Sequence, residues 1–566
     1  MNRTRERSRR RRGRTAAIIG GGIAGLSTAI LLAKRGHRAI VLERDRRPAA
    51  ASPEEAFRVW ERAGVPQFRH SHVFLARITA ALRERFPEVL RLLQRNGALE
   101  LPLTVATPPG LDLGARAKGD GELVLLGCRR AAFEWALRRV AVETHGVELR
   151  EGVLVEGLRA ETGAGQPPRV IGVELRELGD DAGAPPSARS RRGASPAGAR
   201  PRRIDADLVI DASGRRSPAP QWLARIGANT PRETSVPTGI FYFTRFYRLI
   251  GPRPPGTATG LVAGDLGWIK LATFPGDGDT FSITVGTGID DEPFRALADP
   301  EVFEAIVRAF PQVGAWRAPG VSRPIDGQDT PVLVMGGLSN RRRRFLHEGR
   351  PLARGFFPVG DAVYHSNPIY GRGATSAVLA AIALDDALAA RPEDLSAAAS
   401  DYDRRIRLEI EPFWDAAAAG DRMGAARAEA ARASGWLPGA ADLKAFLDPG
   451  RTLARLLGRA VSIYFAHGLV PASRRDGEVY RAVMRVMNML DAPRDGLLAP
   501  QVVARVMPFL VESLIRGTET SFAGPSREEA IALIAAVDGR RRAVRPGAKR
   551  RKTALLEPES DVAGHA

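Results

Sequence analysis

One cysteine, Cys128, in 566 residues leaves nothing for it to pair with inside the chain. No internal disulfide can form, and a reducing cytoplasm is the expected setting. Uninterrupted apolar runs long enough to span a bilayer are also missing. No Ser–His–acid arrangement and no cluster of metal-ligand residues stands out, so no metal is expected. His70 and His72 are two residues apart, but two imidazoles without a nearby cysteine or acid cluster make a poor zinc site. They read instead as an active-site rim or as loop packing. The arginines ahead of the first apolar run mimic the start of an export signal. That run carries a glycine fingerprint and leads into a second strand-like run, so it is read as fold.

What is present in excess is positive charge, +20 in all. Residues 1–14 carry +7, residues 185–203 carry +6 and residues 540–552 carry +8, which leaves the rest of the chain at −1. Low-complexity basic runs of this kind are usually solvated. The body of the chain has no basic excess, so no specific nucleic-acid partner is expected. Weak membrane association, through these basic tails or through apolar faces of C-terminal helices, is the most they imply. An apolar fraction of 44% is that of a globular protein, and the length suggests two or three domains.

The chain is organised around residues 16–45, AAIIGGGIAGLSTAILLAKRGHRAIVLERD. Residues 16–19 read as a short buried strand. Gly20, Gly22 and Gly25 follow in G-x-G-x-x-G spacing, then a helix over 26–34 that Gly36 stops. Residues 39–42 form a second strand ending in Glu43. Gly20 suits the tight turn, Gly22 lets backbone approach a pyrophosphate, and Gly25 lets helix and strand pack closely. The helix N-terminus offers unpaired N–H groups to phosphates, and Glu43 can accept bonds from an adenosine ribose.

Further along, residues 46–65 suggest a loop and a short helix. Residues 73–96 are helical with a break at Pro87 and a stop at Gly97. Phe133, Leu137 and Val140 share one helical face, leaving Arg130 near the helix start, where it can reach an anionic cofactor. Residues 147–149, 153–155, 169–175 and 207–210 read as strands, and 179–203 as a low-complexity surface insertion. The strand at 207–210 ends in a small-residue turn from Asp211 to Ser217. Residues 239–249, GIFYFTRFYRL, alternate faces and hold five aromatics. With 267–274 and 280–285 they suggest an antiparallel sheet, half of whose aromatics pack a core while half face a cavity. Residues 355–373 repeat the opening style, with Gly360 and Asp361 at a strand end and a helix over 374–390. From 401 to 537 the chain reads as helical, with breaks near 438–439, Pro471 and Pro493. Wide apolar faces lie at 461–465 and 502–515.

Together these motifs resemble the flavoprotein monooxygenases of the p-hydroxybenzoate hydroxylase fold, over residues 15–395. That family's N-terminal fingerprint is matched by Gly20, Gly22, Gly25 and Glu43. Its later G-D-x-x-x-x-x-x-P-x-x-G-x-G motif is matched by Gly360, Asp361, Pro368, Gly371 and Gly373. Arg130 matches the arginine that opens its FAD-contacting helix. The resemblance implies an α/β fold: a Rossmann-like FAD-binding domain with an inserted antiparallel-sheet substrate domain and a C-terminal helical region. The implied boundaries are a basic tail at 1–14, FAD-binding segments at 15–230 and 346–400, and a substrate domain at 231–345. A helical region at 401–538 and a second basic tail at 539–566 complete them. Arg44, Val155 and Gly214 join the residues already named as implied FAD contacts, with Asp361 at the ribityl–pyrophosphate region and the 368–373 loop along the isoalloxazine.

The function so implied is an FAD-dependent monooxygenase or epoxidase. In such enzymes reduced FAD takes O₂ to a C4a-hydroperoxide, which delivers one oxygen atom to an apolar olefinic or aromatic metabolite. The chain must then exclude water. The strand at 240–249 and Tyr370 are candidates for that dry wall, and Gln67, Arg69 and His70 for orienting substrate or flavin. Segments 67–72 and 367–373 resemble the squalene-epoxidase-like and bacterial polyether epoxidases more than the aromatic hydroxylases. Two positions depart from the family. Tyr364 stands where a histidine is usual, with His365 beside it. Ser213 replaces the aspartate of the middle A-D-G-x-x-S motif, which puts direct reduction by NADPH or NADH in question and admits a separate flavin reductase. Three other readings remain: a geranylgeranyl-reductase-like enzyme, a flavin halogenase and a non-catalytic flavoprotein that docks through its basic arms. Against the halogenase, its W-x-W-x-I-P motif is absent and no lysine lies between Lys34 and Lys118.

Overall fold

The computed structural model describes residues 13–178, 202–434, 460–517 and 522–544, apart from 63, 106, 164, 256–258 and 462. Its centre is a five-stranded parallel sheet in the order Phe356–Pro358, Leu208–Asp211, Thr15–Ile19, Arg38–Glu43 and Val147–Glu151. Ala16, Ala17 and Ile18 are wholly buried, as a strand with neighbours on both sides requires. Helix Ile23–Lys34 is buried from Ile23 to Ala33, because it lies between the sheet and two further helices, Arg130–Glu143 and Arg372–Ala390. Helix Arg372–Ala390 is long and apolar enough to cross a membrane, but 67% of it is buried here, which makes it a core helix. The helical stretch at 73–96 is two helices, Ala76–Arg85 and Pro87–Arg95, split at the proline, and Gly97 ends the second with φ +87°.

The expected antiparallel sheet is present. Strands Val262–Asp265, Ile269–Pro275, Thr280–Gly288, Ile240–Leu249 and Ser322–Pro324 lie in that order, with Leu333–Met335 also paired to Ile240–Leu249. Along Ile240–Leu249 the two faces separate cleanly. Phe241, Phe243 and Tyr247 pack into the sheet's own core with helix Pro300–Ala309, whereas Phe246 joins the core around the parallel sheet. The turn between Ile269–Pro275 and Thr280–Gly288 docks against the parallel-sheet unit. Its buried Asp277 accepts from the Arg129 backbone N–H at 2.8 Å and from the Arg129 guanidinium at 2.6 Å.

Two boundaries read from composition shift. Residues 179–201 of the insertion lie outside the described residues. Arg202 and Arg203 belong to strand Arg202–Asp205, because their backbone completes a three-stranded antiparallel sheet with Gln166–Glu177 and Val153–Gly163. Helix Arg527–Val544 runs past 538 into the stretch read as a tail. Its Ala530, Ile534 and Val537 recur at helical spacing and seal the core of the antiparallel sheet unit. Residues 1–12, 438–439 and 545–566 lie outside the described residues.

Candidate functional site

The glycines at the end of the first strand have distinct environments. Gly20 has φ +107°, and a Cβ there would lie 2.5 Å from the carbonyl oxygen of Ala212. At Gly25 a Cβ would lie 1.9 Å from the carbonyl oxygen of Gly20. Gly22, at the N-cap of helix Ile23–Lys34, has nothing within 4 Å of that position. Turn, packing and open approach therefore fall to the three glycines as their spacing predicts. The helix N-terminus opens on that free space and carries the positive end of the helix dipole.

Glu43 sits beside this turn and is buried. Its carboxylate accepts from the N–H of Gly21 at 2.8 Å and of Asp45 at 2.9 Å, and pairs with Arg62 at 3.2 Å. Burial works to raise its pKa, but Arg62, Arg47 and the two N–H groups outweigh burial and hold it below the usual carboxylate range. Arg62 also binds Asp45 at 3.0 Å and the fully buried Glu134, whose second oxygen accepts from Arg130 at 2.7 Å. Arg130 thus joins Glu43 through Glu134 and Arg62. Arg47 completes the group: it is 4% exposed and its Nε pairs with Glu151 at 3.0 Å. Among the described residues its two terminal nitrogens have no hydrogen-bond partner, and one lies 3.0 Å from where a Gly21 Cβ would stand. Arg44 is half-exposed and runs along Asp45. Val155 is a buried core residue in strand Val153–Gly163.

The middle motif departs from its expected form in an explicable way. Asp211, two residues before Ser213, turns back into the loop and accepts from the Ser213 hydroxyl at 2.5 Å and the Ser217 hydroxyl at 2.5 Å. Burial raises its pKa against those hydrogen bonds. The carboxylate at this strand end is therefore spent on the turn. Gly214, with φ +85°, is open on its Cβ side.

Gly360 brings in the distant motif. It has φ +62°, and a Cβ there would meet Ala24 at 2.9 Å and Ala377 at 3.6 Å. The turn is thus wedged between the starts of helices Ile23–Lys34 and Arg372–Ala390, with the partly exposed Asp361 next to the glycine turn. Pro368 opens a short 3₁₀ turn, Gly371 follows with φ +65°, and Gly373 faces open space. Gly371 lies against Val73 and Leu75, so the 67–75 and 367–373 segments meet.

His70 is buried and its Nδ1 lies 3.0 Å from Thr244 Oγ1 on strand Ile240–Leu249. Burial pushes its pKa down to about 4, so the ring is neutral near pH 7. Thr244 continues to Thr284 at 2.8 Å, Thr284 to Ser71 at 2.6 Å, and Ser71 to Ser282 at 2.7 Å. The sheet face turned toward the parallel-sheet unit is thus a row of hydroxyls with Tyr242 and Phe246, not an all-apolar wall. Tyr370, expected on that wall, instead gives its hydroxyl to Asp421 at 3.0 Å on helix Glu411–Ser434. Gln67 is half-buried in a 3₁₀ turn. Arg47, Arg62, Glu134 and Asp421 carry no spacing signal, since each acts across a fold contact. A separate cleft of about 1340 Å³ is lined by Arg232, Arg344 and Glu411 among others, and no residue of the glycine turn lines it.

A family model described as an NAD(P)-binding Rossmann-like domain matches residues 18–95. Protein Rv3254 of Mycobacterium tuberculosis is 30% identical over 430 residues, covering 72% of this chain and 80% of that one. Among solved structures, a flavoprotein/dehydrogenase from Cytophaga hutchinsonii aligns with TM-score 0.54 at 14% identity, covering 89% of this chain and all of that one. The myxobacterial chondrochloren halogenase CndH, described as a variant of FAD-dependent halogenases, aligns with TM-score 0.50 at 18% identity over 71% of this chain and 81% of that one. At these identities the solved structures establish the fold. The chain belongs to the family of the Mycobacterium tuberculosis Protein Rv3254, built on a Rossmann-like dinucleotide fold shared with those flavoproteins.

Proposed function

We propose that the chain is an FAD-dependent oxidoreductase and, within that class, a monooxygenase of the epoxidase-like branch. The observation that carries this reading is the glycine turn itself: Gly22 is open at the N-cap of helix Ile23–Lys34, Gly360 brings the distant motif against Ala24 of that helix, and an orphaned nitrogen of Arg47 lies beside Gly21. A buried guanidinium with unpaired N–H groups is costly unless an acceptor arrives, and a pyrophosphate or ribose is such an acceptor. The N-terminus of helix Ile23–Lys34 would hold the pyrophosphate, Glu43 the adenosine ribose, Asp361 the ribityl end, and the 368–373 loop the ring system. When bound and reduced, the flavin supplies O₂ activation and oxygen transfer. The residues of this chain orient and shield. His70 is neutral and hydrogen-bonded to Thr244, so it can hold a proton at either ring nitrogen without placing a charge in the cleft. The hydroxyl row suits a substrate with an apolar body and one hydrogen-bonding group.

Ser213 in place of the motif aspartate, with Asp211 committed to the Ser213 and Ser217 hydroxyls, favours a separate flavin reductase over direct reduction by NADPH or NADH as the electron supply. The test is anaerobic reduction of the FAD-loaded protein, followed by exposure to isotopically labelled O₂ with an olefinic or aromatic substrate panel. Label in the product supports the proposal. Olefin reduction without label, or halide incorporation in its place, assigns the chain to another flavoenzyme class.

A further inference from the structure

Helix Glu411–Ser434 lies outside every motif that pointed to the cofactor, yet its Asp421 bonds to Asn367 and Tyr370 of the distant motif. Asp421 is 8% exposed and forms no ion pair among the described residues. Its Oδ1 accepts from Asn367 Nδ2 at 2.9 Å and from the Tyr370 hydroxyl at 3.0 Å, and its Oδ2 from Asn340 Nδ2 at 2.6 Å. Asn340 in turn accepts the backbone N–H of Asn367 at 2.8 Å, and Asn367 caps the turn by accepting from Ile369 N–H at 3.2 Å. The Tyr242 hydroxyl closes the set on Asn367 Oδ1. The helix is shaped for this contact, since a Cβ on Gly420 would lie 2.5 Å from the Tyr370 hydroxyl.

A buried carboxylate held by neutral donors is an expensive way to stabilise a fold, because desolvation is not repaid by an opposite charge. Two of its three bonds go to Asn367 and Tyr370, the ends of the segment that precedes Gly371 and the N-terminus of helix Arg372–Ala390, and the third goes to Asn340, which itself holds the Asn367 N–H. We propose that Asp421 is a positioning residue that fixes Asn367 and Tyr370, so that the Gly371–Gly373 backbone is preorganised along the ring system of bound FAD. This rests on the FAD reading above. It makes helix Glu411–Ser434 part of the cofactor site instead of an appendage.

The experiment compares wild type, Asp421→Ala, Asp421→Asn and Tyr370→Phe by FAD titration, visible spectrum and flavin midpoint potential. Asp421→Asn keeps an oxygen for Asn367 and Tyr370 but sets an amide nitrogen against Asn340 Nδ2, so it should weaken FAD less than Asp421→Ala does. Asp421→Ala should weaken FAD at least tenfold and shift both spectrum and potential, with Tyr370→Phe in between. Asp415→Asn on the same helix should leave all three readouts unchanged. Wild-type FAD affinity, spectrum and potential in Tyr370→Phe, or in a folded Asp421→Ala, would overturn the proposal. Failure of the wild-type chain to bind FAD would instead overturn the reading on which it rests.

Discussion

Gly22→Ala separates folding from binding more sharply than any other single change. Gly22 has φ −86° and ψ −168°, a conformation open to any residue, and its Cβ direction is empty to 4 Å. Replacing glycine there reduces unfolded-state freedom, which stabilises by about 0.4–1 kcal/mol. Alanine is a poorer N-cap than glycine by a comparable amount, on the order of 0.5–1 kcal/mol. The two offset, so stability of the ligand-free protein should change by less than about 1 kcal/mol. The methyl group does enter the space through which a pyrophosphate approaches the helix N-terminus. Overpacking of that kind costs about 1–3 kcal/mol, a loss of roughly five- to 150-fold in affinity. Gly25→Ala is the contrasting case. Its Cβ would stand 1.9 Å from the Gly20 carbonyl oxygen, so folding itself must suffer. Chemical denaturation of the ligand-free proteins and fluorescence titration with FAD measure the two effects. Gly22→Ala protein that binds FAD like wild type, or that unfolds as readily as Gly25→Ala, would refute the reasoning.

Three further outcomes are expected. Arg47→Met removes a buried cation with two orphaned nitrogens while Glu151 keeps Arg138 at 2.9 Å, so melting temperature should hold and FAD affinity fall about tenfold, or 1.4 kcal/mol. Asp277→Ala leaves the buried Arg129 guanidinium with Glu54 at 2.9 Å but without its partner across the contact between the two sheets, and should cost about 1.5–3 kcal/mol, read by denaturant unfolding. His70 has a folded pKa near 4, below its unfolded value, so the folded state binds fewer protons between those two values and stability is lost as pH falls through that window. The loss is at most roughly 3 kcal/mol, and His70→Gln should reduce the slope of stability between about pH 6.5 and 4, the buried His72 beside it supplying a slope of its own; an unchanged slope would count against the neutral buried ring.

The parts of the site legible in the sequence are those fixed by backbone geometry over short spans. Gly20, Gly22 and Gly25 announce themselves because turn, approach and packing each exclude a side chain at a set spacing. Gly360, Gly371 and Gly373 do so for the same reason. Alternation in 240–249 predicted two faces, but which face met the other domain depended on partners far along the chain, and the hydroxyl row emerged only once Thr244 was set opposite Thr284. Contacts such as Arg129 with Asp277, 148 residues apart, or Asn340 with Asp421, 81 apart, leave no periodic trace. Ser213 was legible as a substitution, yet its consequence was not: the neighbouring Asp211 folds back to close the turn itself. The last helix continues beyond its apolar stripe, from 538 to Val544, into the basic run read as a tail, because helical hydrogen bonding does not need an apolar face to propagate.

The central claim is that the cleft at the strand ends is built for FAD. Titration of the purified, ligand-free full chain with FAD, followed by flavin fluorescence and visible absorption, tests it most directly. The account predicts saturable binding of one FAD per chain, with a protein-perturbed flavin spectrum that Gly22→Ala weakens and Asp415→Asn does not. A folded chain that stays colourless and leaves added FAD free would contradict it.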